Sequence, residues 1–91
     1  MSRFTIAVTE LDTPDHVHET MGRCLTLPAY YGNNLDALYD VLTDLKEETV
    51  IEIDYGGQTL RDLPKSALKA LRVLFDAASA NPHLTIDRAD R

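Results

Sequence analysis

The sequence predicts an α/β fold, a three-stranded parallel sheet covered by helices, and three observations lead there. Short β-type runs stand at Arg3 to Val8, Thr49 to Ile53 and Leu84 to Asp87. The stretches between them carry apolar residues at helical spacing. Strands joined through helices lie parallel, and the right-handed crossover rule then leaves few arrangements open.

In the first strand, Phe4, Ile6 and Val8 alternate with polar or small residues. Thr13 suits a helix N-cap, Pro14 the first helical position, and Asp15 places a negative charge at the positive end of the helix dipole. Val17, Met21, Cys24 and Leu25 extend an apolar stripe on a helix ending near Leu25. The segment from Leu27 to Gly32 cannot continue it, because Pro28 drives its predecessor from the helical region and Gly32 suits a tight turn.

Asn33 or Asn34 then caps a second helix, whose Leu35, Leu38, Leu42 and Leu45 share one face. After the second strand, Asp54-Tyr55-Gly56-Gly57 supplies turn residues, and the chain from Gly56 to Leu63 is a loop with room for one helical turn. Pro64 fits the first turn of the last helix, with an apolar stripe of Leu68, Leu71, Phe75 and Ala78 closed by Asn81-Pro82. With no linker, internal repeat or low-complexity segment, residues 1–91 are expected to form a single domain.

Composition narrows the function. A 91-residue chain that is 44% apolar and 26% charged is globular rather than disordered. At that size only about 60–65% of the unfolded surface is buried, which leaves little room for an enclosed catalytic cavity. A binding protein is therefore expected rather than an enzyme. The net charge of −6 argues against nucleic acid as a direct ligand, since phosphate binding needs clustered Lys and Arg. A basic protein is the better partner. Cys24 is the only cysteine, no apolar run is long enough to span a bilayer, and Met1 to Thr5 lacks the apolar core of a signal peptide. These features lead to the expectation of a soluble, cytoplasmic protein.

The acidity is concentrated. From Asn33 to Glu48, five acids face one lysine, a net −4 out of the total −6. Asp36, Asp40 and Asp44 recur every fourth residue, so on a helix they form one ridge opposite the leucines. Like charges at this spacing cost an isolated helix about 0.2–0.5 kcal/mol per pair, which suggests a use beyond folding. Two tyrosines in the preceding loop and Tyr39 within the helix border the ridge. Of the loop pair, Tyr30 is expected to face outward. The plain alternative is a solvated helix face. A divalent-ion site at Asp36 and Asp40 carries little weight, for no acidic Gly-containing loop or further ligand cluster accompanies them. General acid–base chemistry would need environments that push two carboxyl pKa values apart, and an exposed ridge offers none.

The other candidates read as structural. His16 and His18 point about 200° apart on a helix and cannot chelate one ion. His83 stands alone in a turn, and Cys24 lies on an apolar stripe as a small hydrophobe. No phosphate loop, zinc spacing or Ser-His-Asp set is present, so no cofactor or metal is expected.

The run from Leu27 to Leu42, LPAYYGNNLDALYDVL, closely resembles the signature of the barstar family, intracellular inhibitors of barnase and related microbial ribonucleases. The similarity continues more loosely through Val50–Ile53, Val73–Ala77 and Leu84–Ile86. It implies a barstar-like three-stranded parallel sheet with helices around it, and a second helix and loop that plug a ribonuclease active site in place of RNA. By this resemblance Asp40 takes the substrate-phosphate position opposite arginines and a catalytic histidine, Asp36 meets a further basic residue, and Tyr30 packs on that histidine. Gly32, Asn34 and Leu35 supply loop contacts. Asp76 corresponds to an acidic interface residue one methylene longer in barstar. Tyr39 stands in place of a tryptophan, Leu45 in place of another aromatic, and Asp44 adds a carboxylate where barstar has a small residue. The implied role is an immunity or antidote protein, monomeric when free, that binds a basic ribonuclease 1:1 without catalysis. The alternative is an interaction module on the same scaffold that binds another basic protein.

Overall fold

The computed structural model describes residues 1–29 and 31–89. Its strands are β1 (Ser2–Ala7), β2 (Thr49–Asp54) and β3 (Leu84–Arg88), and its helices are α1 (Pro14–Cys24), α2 (Leu35–Thr43) and α3 (Lys65–Ala80). The sheet order is β1-β2-β3, with both pairs parallel and β2 in the centre. Successive strands are neighbours, so right-handed crossovers return every helix to the same side. The burial pattern along β2 agrees: Thr49, Ile51 and Ile53 are buried while Val50, Glu52 and Asp54 are only partly covered. The helices thus cover one face of the sheet. The other face is polar and includes an Arg3–Glu52 ion pair at 2.9 Å across β1 and β2.

Between the layers lies a core of Ile6, Val8, Leu11, Val17, Met21, Leu38, Leu42, Ile51, Ile53 and Leu74, all at most 2% exposed. Several expectations need correction here. Val8 does not extend β1 but opens a 3-10 turn, Val8–Leu11, whose Val8 and Leu11 drop into the core. That turn is held by Glu10, which accepts from the Ala7 backbone N–H at 3.2 Å and pairs with Arg23 of α1. The Arg23 guanidinium holds the Glu10 carboxyl below its ordinary pKa. The Gly56–Leu63 segment contains a second 3-10 turn, Leu60–Asp62. Gly56 and Gly57 both have positive φ, which supports their reading as turn residues.

The predicted stripe on α3 is displaced. Leu68 and Phe75 are 39% and 46% exposed, and the buried face is Ala67, Ala70, Leu71, Leu74 and Ala77. Both sets fit helical spacing, but the alanines permit close approach of the backbone to its neighbours and Leu74 fills the remaining gap. Helix α3 begins at Lys65, with Pro64 at the N-cap position rather than inside the first turn. On α1 the expectation holds: Thr13 Oγ1 accepts from the His16 N–H at 3.1 Å and Pro14 starts the helix.

Candidate protein-binding site

The site begins at the turn that launches α2. Pro28 O accepts from Tyr31 N at 2.9 Å, and Asn33 adopts φ 50°, the left-handed conformation that asparagine tolerates better than most residues. Asn34 resolves the capping question. Its Oδ1 accepts from Ala37 N at 2.8 Å, and its backbone is extended as an N-cap requires. A Cβ on Gly32 would come within 2.9 Å of Asn34 Nδ2, so a glycine there leaves the capping side chain its place.

From this cap, Leu38 and Leu42 are driven into the core at 0% exposure and Leu35 packs at its edge. The opposite side of α2 is thereby fixed outward. Asp36 and Asp40 are exposed, and among the described residues neither carboxylate has an ion pair or side-chain hydrogen bond. Tyr39, at 36% exposure, lies on the same helix between them in sequence. The third member of the ridge differs from expectation. The helix ends at Thr43, and Asp44 is its C-cap residue, exposed and 3.6 Å from Lys46 Nζ. Leu45, expected on the leucine stripe, falls beyond the helix but still packs against the core.

Asp76 projects from α3 with its side chain 63% exposed and pairs with Arg72 one turn earlier at 3.9 Å. It is on a different helix from the ridge. Tyr30, the loop aromatic expected to face outward, lies outside the described residues. Its neighbour Tyr31 faces inward: its hydroxyl is hydrogen-bonded to His18 Nδ1, and the two rings meet edge-on at 5.4 Å. His18 therefore ties the loop to α1.

Burial pushes the His18 pKa below its ordinary value, against the opposing pull of the Asp15 carboxylate. An imidazole that resists protonation in the folded state favours unfolding once the free ring begins to charge. Stability from this site is full above about pH 6.5 and falls as pH drops from there to the lowered folded value. We expect melting temperature to decline over that window, and His18→Gln to flatten the decline. An identical pH profile in His18→Gln would refute the assignment.

Asn81 is a residue whose role sequence reasoning missed. Buried at 4% exposure just beyond α3, it donates from Nδ2 to the carbonyls of Leu42 at 2.9 Å and Leu45 at 3.1 Å. Its Oδ1 accepts from His83 N at 3.0 Å. One side chain thus adds a donor to the Leu42 carbonyl, which also accepts from Leu45 N at 3.5 Å, caps the Leu45 carbonyl, and fixes the end of α2 against α3. The only signal in the sequence is its place before Pro82, which also suits an ordinary helix stop. Asn81→Ala should cost about 1–3 kcal/mol, because one buried and one part-buried carbonyl lose the amide donor. In chemical denaturation, a loss below about 0.5 kcal/mol would count against the clamp.

Chemically, the arrangement can attract and pair with cations. Among the described residues no group of three His, Cys, Asp or Glu side chains is placed to hold a metal ion. Cys24 is half-buried, with its thiol pKa raised by burial, which disfavours the reactive thiolate. No helix among the described residues is long and apolar enough to cross a membrane.

The class these features define is a small α/β protein with a parallel three-stranded sheet and an outward acidic helix. The chain belongs to the Barstar (barnase inhibitor) family, whose model matches residues 1–87.

Proposed function

We propose that this protein inhibits a basic, barnase-like ribonuclease, and that it does so by covering the enzyme's active site with α2 and the loop before it. The observation that carries the reading is the pair of exposed carboxylates, Asp36 and Asp40, without partners among the described residues on a helix held at both ends. Membership of the barnase-inhibitor family supports the choice of partner.

An enzyme that binds RNA presents clustered positive charge at its active site. The carboxylates of α2 take the place of substrate phosphates there, with Asp40 central and Asp36 beside it. Tyr30, Gly32, Asn34, Leu35 and Tyr39 supply packing around that pair, and Asp76 meets the enzyme by releasing Arg72. Long-range attraction between an acidic inhibitor of net charge −6 and a basic enzyme speeds association. The inhibitor is non-catalytic, binds 1:1 from a monomeric free state, and acts in the cytoplasm to protect the cell that makes the ribonuclease or meets it.

Association with purified barnase, followed at low and high salt with and without a mononucleotide in the enzyme's active site, tests the proposal. We expect fast association that slows with salt and competition by the nucleotide. Binding indifferent to the nucleotide would place the contact elsewhere. Failure to bind, together with capture of a basic partner lacking nuclease activity, would favour the general interaction module.

A further inference from the structure

Beside the outward ridge, an open groove of about 640 Å³ runs between α2 and the loop before it. Its walls include Pro28, Tyr31, Ala37, Val41 and Leu45, and Asp40 and Asp44 are the charged residues along it. The walls are mostly apolar, yet the charge is all negative. The groove also lies at the C-terminal end of α2, where the helix dipole is negative and the last turn has no basic residue. A carboxylate at that end is disfavoured unless a cation answers it.

The cation present is a weak answer. Lys46 reaches Asp44 at 3.6 Å with both side chains more than 80% exposed, a geometry in which solvent and salt screen most of the attraction. An incoming guanidinium has more to gain. Its planar face suits the proline and tyrosine walls, its stem suits Val41 and Leu45, and its forked donors match a carboxylate in two parallel hydrogen bonds. An ammonium is a compact, strongly hydrated point charge and uses neither the walls nor the fork.

We infer that this groove receives an arginine side chain of the ribonuclease between Asp40 and Asp44, with Lys46 as the built-in competitor that the arginine displaces. The inference rests on the inhibitor reading and adds a specificity determinant to it. Asp44 selects a ribonuclease with arginine opposite the C-terminal end of α2 over one with lysine or a neutral residue there.

The test is a double-mutant cycle on affinity for barnase, with Asp40→Ala as the reference. Asp44→Ala should weaken binding by about 5- to 20-fold, at the low end of measured interfacial charge pairs or just below it, as a solvent-exposed carboxylate implies. Lys46→Ala should tighten it by about 2- to 5-fold, as removal of an exposed ion-pair partner allows. Added negative charge alone would also speed association, so the deciding variant is Asp44→Ala/Lys46→Ala. Competition predicts that, once Asp44 is absent, the gain from Lys46→Ala shrinks to the part that long-range steering supplies. An Asp44→Ala affinity within twofold of wild type, or a Lys46→Ala gain unchanged without Asp44, overturns the inference. If Asp40→Ala is equally harmless, the inhibitor reading itself fails. A second measurement needs no ribonuclease: in an NMR titration, N-acetyl-arginine amide should shift the amides of Val41, Asp44 and Leu45 more than the lysine analogue does. Equal shifts from the two probes would remove the guanidinium preference.

Discussion

Asp40→Ala is expected to weaken the complex with a barnase-like ribonuclease by at least about 2 kcal/mol, some thirtyfold in Kd, the scale of an interface hot spot to which the barnase–barstar pair itself contributes. The size follows from the geometry. Asp40 is exposed on a capped helix with no partner among the described residues, so in the proposed complex it would meet the enzyme's cations without first breaking an internal ion pair. Truncation also leaves the enzyme's buried cations unanswered, which costs more than the contact itself. The matched control is Glu19→Ala on α1, which removes the same charge from another exposed position. It should alter association only through long-range steering, by less than about 1 kcal/mol. Similar losses at Asp40 and Glu19 would mean that net charge, not the acidic face of α2, carries binding.

The second large effect concerns stability. Leu74→Ala should cost about 2–5 kcal/mol, because it empties a position with 0% exposure at the centre of the core. Phe75→Ala, one residue along the same helix, removes a larger side chain that is 46% exposed, and should cost about 1–1.5 kcal/mol, less than Leu74→Ala. Total stability for a domain of this size is about 5–15 kcal/mol, so Leu74→Ala removes a substantial share of it. Urea denaturation of both variants gives the comparison directly. A larger loss at Phe75 would restore the displaced stripe and rotate α3 by about 100°.

That rotation shows where sequence reasoning stops. Large apolar residues on α3 occupy more than one face, so Leu68-Leu71-Phe75-Ala78 and Ala67-Ala70-Leu71-Leu74-Ala77 both satisfy helical periodicity. Only the neighbouring layer decides between them, and it favours small side chains where backbones approach closely. By contrast α1 was legible, because Thr13 and Pro14 act locally and their hydrogen bonds need no tertiary partner. The strands were legible too, since one buried and one polar face impose strict alternation along β2.

The candidate site divides in the same way. The outward position of Asp36 and Asp40 follows from the inward position of Leu38 and Leu42, which is a matter of spacing alone. The role of Asn81 does not follow, because its partners Leu42 and Leu45 are more than thirty residues away in sequence. Asp44 was placed on the helical ridge, yet α2 stops one residue before it. Thr43 marks that end: its Oγ1 donates back to the carbonyls of Tyr39 at 2.9 Å and Asp40 at 3.2 Å. Hydroxyls that bond back to a preceding turn compete with helix continuation, a tendency too weak to set a boundary from sequence.

The central claim is that α2 occupies a ribonuclease active site. Its most direct test is titration of barnase activity on RNA with the purified protein. The account predicts a linear loss of activity ending at one equivalent of inhibitor, with Asp40→Ala requiring a large excess. Full ribonuclease activity in the presence of a stoichiometric or greater amount of folded wild-type protein would contradict it.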